Sequence, residues 1–286
     1  MDFTLTETQQ SIVDSAAKLL TKHAGPKRAR QVLATSGYDP ELASALREAG
    51  FLSLMKETGA LEAAMVTEAI SARAGLVHFG AAAMVAPALG MEIDEPVALS
   101  RQRGPVRYGA SAKTLLILDG ADVRVRRVDS GEARPMRSNF GFPFAELPAD
   151  GGERLSGAGA KMRAWWRVVL AVEIAGALRG CLTFTTDYVK ERRQFGRAIG
   201  SFQAIQHRLA DCVVLTEASR WLAYEAAFQG APDDGAEVAI SYAAAAARRV
   251  FHEVHQMNGA IGFTREHDLH VWSMRLQALA LEMGGA

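Results

Sequence analysis

The sequence has few cysteines and no excess of charge of either sign. Only Cys181 and Cys212 occur in 286 residues, and both lie in apolar segments predicted to be helical. We therefore expect buried, unreactive thiols in a reducing compartment. Lys plus Arg and Asp plus Glu each number 32, so no overall charge attracts the chain to nucleic acid or to a membrane surface. The composition predicts a cytoplasmic protein that binds neither.

Uninterrupted hydrophobic runs are also short. None reaches the ~18 residues that a membrane span requires, and the polar, acidic residues 1–7 differ from a signal peptide. The hydrophobic content of 49% is enough for one large domain or for two to three small domains with real cores. We therefore expect a globular chain without a membrane-spanning segment.

The first third of the chain has the apolar periodicity of helices. In residues 1–90 the pattern predicts helices at about 6–23, 39–50, 60–74 and 76–90. The last two are rich in alanine and apolar on nearly every side, which is typical of helices buried on most sides.

Glycine and proline interrupt residues 91–158 every few positions. Within this region, residues 114–118 and 123–128 have the composition of strands, and the link around Gly120 predicts a hairpin between them. Gly157-Ala158-Gly159 lacks the third glycine of a dinucleotide-binding fingerprint, because position 162 is methionine. We interpret it as a hinge into the next helix.

The last part of the chain is again helical. Helices are predicted at 163–191, 201–229, 236–257 and 267–282, and their short links make sequential neighbours antiparallel, as in a four-helix bundle. The fold prediction is mainly α, with three domains: an N-terminal helical domain at 1–90, a middle β domain at 91–158 and a C-terminal four-helix bundle at 159–286.

Residues 187–211 form a predicted corner between two long helices. A basic cluster at 190–193 ends the first helix, as suits the negative end of a helix dipole. Gly196 and Gly200 punctuate the turn, and Ser201 is the predicted N-cap of the second helix. The corner is therefore expected to be tight and positively charged.

The groups at this corner suit a dinucleotide. Arg192 and Arg193 offer planar donors that match a phosphate or a carboxylate, and Phe195 can cover a flat ring. Gln203 lies in the first turn of the second helix, where backbone N–H groups are free. A ligand-free interpretation stays open, because basic residues are favoured at any helix C-terminus and Phe195 can plug the core.

Two motifs resemble the acyl-CoA dehydrogenase family. ERRQFGRAIGSFQAIQHRLAD, at residues 191–211, is similar to the helix-pair corner of that family, and QMNGAIGF, at residues 256–263, is similar to its Q-x-x-G-G-x-G-Y/F loop. The resemblance covers about residues 160–275 well. It implies FAD bound across a subunit interface, with Arg192 at the pyrophosphate and Gln203 at the same cofactor. The implied FAD contacts are Arg192, Gln194, Phe195, Gln203, Gln256, Met257, Asn258, Gly259 and Ala260.

The resemblance also implies the reaction and its partners. In this family a glutamate removes the Cα proton of an acyl-CoA thioester while the Cβ hydride leaves for the flavin. Acyl-CoA is the implied substrate, and an electron-transfer flavoprotein is the implied electron acceptor. Arg167 occupies the place of an arginine that lines the acyl-CoA channel, although a solvated helix charge is an equal alternative.

The chain departs from the family at two places. Relatives of full length carry a flavin-contacting loop of the type A-L-T-E-P-x-x-G-S-D, of which residues 98–101 are the nearest trace, so the middle β domain is expected to be shortened. Neither of the two positions at which the family carries its base has a clear glutamate here. One position is Trp166, and near the other the only candidate is Glu282, which precedes a glycine pair. The catalytic base is therefore unassigned, with Glu282 and Glu173 as weak candidates.

A metal site is not expected. His252 and His255, like His267 and His270, are spaced by three residues, whereas the zinc-binding H-E-x-x-H motif requires four. Surface or capping histidines explain them better.

Three functions remain open at this point. The resemblance extends to the short subunits of heteromeric (α2β2) actinobacterial steroid side-chain acyl-CoA dehydrogenases, and the asymmetric loss of motifs predicts a subunit that completes the FAD site of a second dehydrogenase-like subunit. The first alternative is a self-sufficient homodimeric enzyme with an unusual base such as Glu282. The second alternative is a non-catalytic scaffold subunit without FAD.

Overall fold

Helices occupy both ends of the chain and small β-sheets lie between them in the computed structural model, which describes residues 4–93, 96–101 and 104–282. The N-terminal helices are α1 (Glu7–His23), α2 (Pro26–Leu33), α3 (Pro40–Glu48), α4 (Leu54–Glu57), α5 (Ala60–Ala72) and α6 (Ala86–Ala88). The mainly α fold with a small β region is the one predicted.

Capping residues explain where the predicted N-terminal helices begin. Thr6 and Gln9 form a reciprocal capping box at the start of α1, and the Asp39 carboxylate accepts from the Leu42 N–H at the start of α3. The sequence did not reveal α2. Gly25-Pro26 ends α1 as predicted, but Pro26 is also the first residue of α2, a position that suits its fixed φ and missing N–H.

The predicted helix at 76–90 begins later than expected. The Leu76 carbonyl accepts from the Asp39 N–H at 2.9 Å, and the His78 ring contacts the Val97 carbonyl at 3.1 Å, so this segment is held by tertiary bonds. The helix then passes through a π-turn at Ala81–Val85 before α6. Pro87 cannot donate to the preceding turn, and a wider turn accommodates it.

Two small sheets form the middle of the chain. One has the strand order β1-β3-β4-β7 and the other β2-β6-β5. The predicted hairpin is confirmed: β3 and β4 pair antiparallel from Asp119↔Asp122, with Gly120 at φ 62° in the turn. Residues 98–101 lie in β1, which pairs parallel with β3. The strands are β1 (Val97–Arg101), β2 (Val106–Arg107), β3 (Thr114–Asp119), β4 (Asp122–Arg127), β5 (Arg134–Met136), β6 (Phe144–Glu146) and β7 (Glu153–Leu155).

The C-terminal helices form the predicted bundle, with shifted ends. They are α7 (Gly159–Glu191), α8 (Gln203–Phe228), α9 (Asp233–Asn258) and α10 (His270–Leu281), and a short hairpin of β8 (Arg193–Gln194) and β9 (Arg197–Ala198) lies between the first two. The prediction that Ser201 caps α8 is wrong. Its hydroxyl donates to the Ala198 carbonyl at 2.7 Å within a 3₁₀ turn, and α8 begins two residues later.

Helix α7 is the central rod of the molecule. Its 33 residues span roughly 50 Å, and it packs against α5, α8, α9 and α10. By length and composition α7 is apolar enough to cross a membrane, contrary to the expectation from uninterrupted runs, but 83% of its most apolar window is buried inside the protein. Cys181 and Cys212 are buried as predicted, and burial raises the pKa of both thiols.

Two glycines let neighbouring helices approach α7 closely. A Cβ added to Gly176 would lie 2.8 Å from Ser71 Cβ and would collide with the Glu68 carbonyl oxygen of α5. A Cβ on Gly180 would lie 2.8 Å from the Ala72 carbonyl oxygen, which accepts from the Trp272 indole at 3.0 Å. Small residues at these positions set the α5–α7 spacing.

We expect Gly176→Ala to lower the free energy of unfolding by about 1–3 kcal/mol, because backbone rather than a mobile side-chain end must move. Gly235→Ala is the matched control: it is also a helical glycine, but the atom nearest to its added Cβ is Pro232 Cγ at 3.1 Å. Urea unfolding followed by circular dichroism compares the two. Equal midpoints for both variants would contradict the close-packing argument.

Candidate functional site

The two motifs that resemble flavin-binding segments lie at the same end of the bundle. Helices α7 and α9 run in the same direction because α8 returns between them. The Asn258 side chain, at the end of α9, donates to Thr185 Oγ1 of α7 at 2.9 Å. The fold therefore brings residues 192–203 and 256–263 to one end of the bundle. We call their exposed surface the flavin-motif end.

The β8–β9 hairpin presents the corner of the first motif to solvent. Its two turn residues, Phe195 and Gly196, have φ values of 54° and 80°, the left-handed conformation that two-residue hairpin turns require. Phe195 is 90% exposed, so it does not plug the core, which was the ligand-free interpretation. The Arg197 guanidinium lies 4.0 Å from the ring centroid of Phe202 and stiffens the base of the hairpin.

The corner exposes three polar side chains to solvent. Arg192 caps the C-terminus of α7 and is exposed, and no carboxylate of the described residues forms an ion pair with its guanidinium. Gln203 is the exposed first residue of α8, where backbone N–H groups are unsatisfied by the helix. Gln194 is exposed, with its amide donating to the Arg193 carbonyl. This donor set fits a diphosphate.

In the second motif, exposed residues are interrupted by two buried ones. Gln256, Gly259 and Ala260 are exposed, whereas Met257 and Asn258 are only 3% and 2% exposed. The reason is that α9 continues to Asn258, so these residues occupy different helix faces. The side chains of Met257 and Asn258 face the interior, so the prediction that they contact a cofactor can apply only to their backbone.

Gly259 ends α9 with φ 64°, and no atom lies within 4 Å of a Cβ added there. The following residues Ile261 and Phe263 are 42% and 73% exposed. Phe195, Ile261 and Phe263 are thus three large apolar side chains exposed at the flavin-motif end.

A buried ion cluster lies elsewhere in the molecule, where β2, α7 and the end of α10 meet. Arg107 donates to both oxygens of Glu173, at 3.1 and 2.7 Å, and to Glu282 Oε2 at 2.8 Å. The Trp166 indole also donates to Glu282, at 2.9 Å. Glu173 and Glu282, the two weak candidates for the catalytic base, are therefore both bound by one guanidinium.

Charges in this cluster are strongly coupled. Burial raises the pKa of Glu173, and Arg107 offsets part of that rise. Burial alone would lower the pKa of Arg107, but Glu173 and Glu282 together raise it above its ordinary value. The guanidinium also lies 4.9 Å from the ring centroid of Phe142. Arg107 has no local sequence signal: its partners are 66 and 175 residues away, so sequence reasoning missed it.

Acid is expected to destabilise the fold through His78, which is 4% exposed. Its Nδ1–H donates to the Val97 carbonyl at 3.1 Å and its Nε2 faces Arg107 Nη2 at 3.4 Å, so the neutral ring fits. Burial, aided by the Arg107 charge, lowers the pKa of His78 well below 6.5. The unfolded state therefore binds more protons below pH 6.5 or so. Above that pH this group does not change the free energy of unfolding. At lower pH the free energy of unfolding decreases by up to ~1.4 kcal/mol for each pH unit.

The measurement is the melting temperature of wild type and His78→Gln between pH 7.5 and 5.5, values chosen to bracket the ordinary histidine pKa of about 6.5. The variant should show a shallower decline with acid. The raised pKa of Glu173 has the opposite effect on the pH dependence of stability. It does not affect the comparison, because Glu173 is present in both proteins. Parallel declines would show that His78 is not the acid-sensitive group.

A cavity of about 640 Å³ adjoins the ion cluster. Glu282 and Trp166 form part of its wall, together with apolar side chains such as Leu99 and Leu281. Its lining also includes Ser100 and Arg101, at the end of β1, as well as Gly104, Pro105, Met136, Arg137, Ser138, Asn139, Phe140, Phe144 and Ala278. Residues 99–101, which belong to the trace of the flavin-contacting loop, thus reach this cavity from a strand.

Arg167 is directed to α9. Its guanidinium pairs with Asp233 at 3.3 Å and with Glu237 at 2.5 Å, so it bridges α7 and α9 while its neighbour Trp166 lines the cavity. The geometry agrees with a helix-linking charge more closely than with the channel arginine that the resemblance implied.

The histidines near the bundle end have structural partners. His255 Nε2 lies 3.1 Å from Ser273 Oγ, and His267 Nε2 lies 2.7 Å from Asn258 Oδ1. Within residues 4–93, 96–101 and 104–282, no group of three or more His, Cys, Asp or Glu side chains is arranged to hold a metal ion.

Several known proteins resemble this chain. Residues 161–285 match the family model described as acyl-CoA dehydrogenase, C-terminal domain. The acyl-CoA dehydrogenase IpdE2 of Mycobacterium tuberculosis is 30% identical, and the alignment covers 96% of this chain and 92% of that protein. The chain belongs to the acyl-CoA dehydrogenase family. IpdE2 of Mycolicibacterium smegmatis is 27% identical over 98% of this chain and 96% of its own length.

Solved structures of the family share the fold along nearly the whole chain. The ChsE4-ChsE5 complex from Mycobacterium tuberculosis superposes with a TM-score of 0.82 at 22% identity, covering 100% of this chain and 95% of that chain. A variant of the Tcur3481-Tcur3483 steroid ACAD gives 0.84 at 25% identity, covering 99% and 95%. These likenesses show the shared fold, whereas the IpdE2 alignments confirm the predicted family and the resemblance to its short members. The family implies FAD binding.

Proposed function

We propose that this chain is one subunit of an FAD-dependent acyl-CoA dehydrogenase that introduces a trans-2,3 double bond into an acyl-CoA thioester. Its flavin-motif end would complete the FAD site of a second, dehydrogenase-like subunit. One asymmetry carries the proposal. The flavin-motif end exposes the side chains of Arg192 and Gln203, neither of which bonds to another side chain in the part of the chain that the structure describes, whereas Glu173 and Glu282 are both bound by the buried Arg107.

In this proposal, different residues of the flavin-motif end bind different parts of the nucleotide. Arg192 and the first N–H groups of α8 would bind the diphosphate, because both are donors and both carry positive potential. Gln203 and Gln256 would orient the nucleotide by hydrogen bonds, and Gly259 leaves space for close approach of a ligand to the backbone. FAD, when bound, supplies the acceptor for the substrate's hydride. Phe195 and Phe263 would exclude water by packing against the partner subunit.

Relatives with two components support a partner subunit. Two of the structural relatives carry paired names, the ChsE4-ChsE5 complex and the Tcur3481-Tcur3483 steroid ACAD. The proposal includes an electron-transfer flavoprotein as the electron acceptor. A panel of fatty and steroid side-chain acyl-CoA thioesters would identify the class of acyl group.

The test is to purify this chain alone and after coexpression with a longer acyl-CoA dehydrogenase paralogue. We expect little flavin absorbance in the chain alone, and a stoichiometric flavin-coloured complex with acyl-CoA dehydrogenase activity after coexpression. Stoichiometric flavin with full activity in the chain alone would refute a dependent subunit.

One observation favours a second candidate function, a self-sufficient homodimeric dehydrogenase. Glu282 reaches the wall of a cavity of about 640 Å³, so a carboxylate is available there if its bond with Arg107 is given up. In that case Glu282→Gln would abolish turnover of acyl-CoA by the chain alone. If the chain is the proposed dependent subunit, Glu282→Gln would leave the turnover of the coexpressed complex largely unchanged.

A further inference from the structure

Three polar side chains form a continuous chain of hydrogen bonds beneath the flavin-motif end. His267 Nε2 lies 2.7 Å from Asn258 Oδ1, and Asn258 Nδ2 lies 2.9 Å from Thr185 Oγ1 and 2.8 Å from the Val254 carbonyl. Thr185 is on α7, Asn258 ends α9, and His267 lies in the segment that leads to α10. We call these three residues the Thr185–Asn258–His267 clamp.

The partners fix the orientation of the Asn258 amide and of the His267 ring. Both hydrogens of the Asn258 amide are used, and a flipped amide would place its oxygen against the Val254 carbonyl. Because Asn258 Oδ1 can only accept, His267 must carry a hydrogen on Nε2. The His267 ring is held between Phe184 and Tyr188, with centroid distances of 4.7 and 5.0 Å. The Asn258 amide and the His267 ring therefore have one satisfied arrangement.

Both flavin-motif segments begin within two helical turns of the clamp. Asn258 directly precedes Gly259, where the backbone leaves α9 with φ 64°. Thr185 lies seven residues before Arg192 on the last turns of α7. Thr185 and Asn258 are 0% and 2% exposed, so their side chains do not reach the surface on which a nucleotide would lie.

We propose that Thr185, Asn258 and His267 are positioning residues for FAD binding. Their side chains set the separation between the Arg192 corner and the loop at 259–263, and they do so from the interior rather than from the surface that faces the cofactor. The proposal rests on the proposed function, in which both segments contact one FAD. Sites held by residues that are themselves locked by hydrogen bonds bind more tightly than loosely held sites, because less freedom is lost on binding.

A matched pair of isosteric substitutions tests the clamp. Thr185→Val removes the acceptor of the Asn258 amide, which lies across two helices. Thr216→Val is the control, because Thr216 is equally buried in α8 but its hydroxyl donates only to Cys212, one turn away in the same helix, at 2.8 Å. We expect Thr185→Val to raise the FAD dissociation constant of the flavin-containing assembly about fivefold, the equivalent of one neutral hydrogen bond. Thr216→Val should leave it unchanged.

A conservative variant separates positioning from general destabilisation. His267→Gln keeps a side-chain N–H that can reach Asn258, whereas His267→Phe keeps the ring volume without a donor. His267→Phe should raise the FAD dissociation constant, whereas His267→Gln should keep it near the wild-type value. The two variants should have similar melting temperatures. Hydrogen exchange of the chain without FAD should quicken in residues 259–266 for the Phe variant and leave α1 unchanged.

Two results distinguish failure of this inference from failure of the proposed function. If Arg192→Ala releases FAD while Thr185→Val and His267→Phe match Thr216→Val in affinity and in loop exchange, the clamp is not a positioning device. If Arg192→Ala leaves FAD bound, the flavin-motif end itself is not the cofactor site and the proposal falls with it.

Discussion

Replacing Arg107 by methionine is expected to lower the free energy of unfolding by about 3–5 kcal/mol, because it leaves buried carboxylates without their counter-charge. Arg107 is 2% exposed and pairs with Glu173 and Glu282, whose side chains are 9% and 14% exposed. Methionine retains much of the arginine stem, so the loss measured is chiefly that of charge and hydrogen bonds. Urea unfolding at neutral pH gives the value.

Arg30→Met is the control for this prediction. Arg30 also pairs with a carboxylate, Asp268 at 2.6 Å, but its side chain is 42% exposed, so the expected loss is below about 1 kcal/mol. Adding Glu173→Gln and Glu282→Gln to Arg107→Met should restore part of the stability, since no buried carboxylate is then unpaired. An Arg107→Met protein within ~1 kcal/mol of wild type, as for an exposed pair, would show that the cluster is not energetically coupled.

Replacing Arg192 by alanine should weaken FAD binding by about 1.5–3 kcal/mol, the value of a charge-assisted hydrogen bond. This corresponds to a rise of roughly 10- to 150-fold in the dissociation constant. Arg192 is exposed and unpaired by carboxylates of the described residues, so the fold should be unaffected. Flavin released on dilution, followed by fluorescence, measures the change in the coexpressed complex.

Arg193→Ala is the matched control, because Arg193 is the adjacent exposed arginine and begins β8, where successive side chains point to opposite sides. It should retain flavin. Unchanged flavin content in Arg192→Ala, with the complex intact, would favour the scaffold function, in which the chain keeps the family fold without contacting FAD.

Much of the fold could be predicted because its signals are local. The capping residues Thr6 and Asp39 mark helix starts within four residues of sequence, and Gly120 marks the β3–β4 turn. The delayed start near His78 could not be predicted, because it depends on bonds to Asp39 and Val97. Local patterns do not encode such long-range partners.

The candidate site also has parts that the sequence predicts and parts that only the fold reveals. Arg192 and Gln203 lie within one short motif, and the structure places both at the surface, where a ligand can reach them. Asn258 belongs to an equally clear motif, but its side chain points into the protein because α9 continues to this residue, which the motif alone does not indicate. Arg107 and Glu282 are 175 residues apart, so only the folded chain shows that a buried guanidinium neutralises a candidate base.

The bond between Arg107 and Glu282 gives the cavity beside it a selective character. A carboxylate that serves as a proton acceptor there must first loosen its hold on Arg107, and the interior then carries a cation with one fewer counter-ion. Arg107 is not among the residues that line the cavity, but an anionic occupant beside Glu282 would lie close enough to offset part of the lost counter-charge, whereas a neutral occupant would not. Ligand charge and conformational stability are thus linked through a single guanidinium, so a thermal-shift screen of the isolated chain would report which kind of molecule the cavity admits.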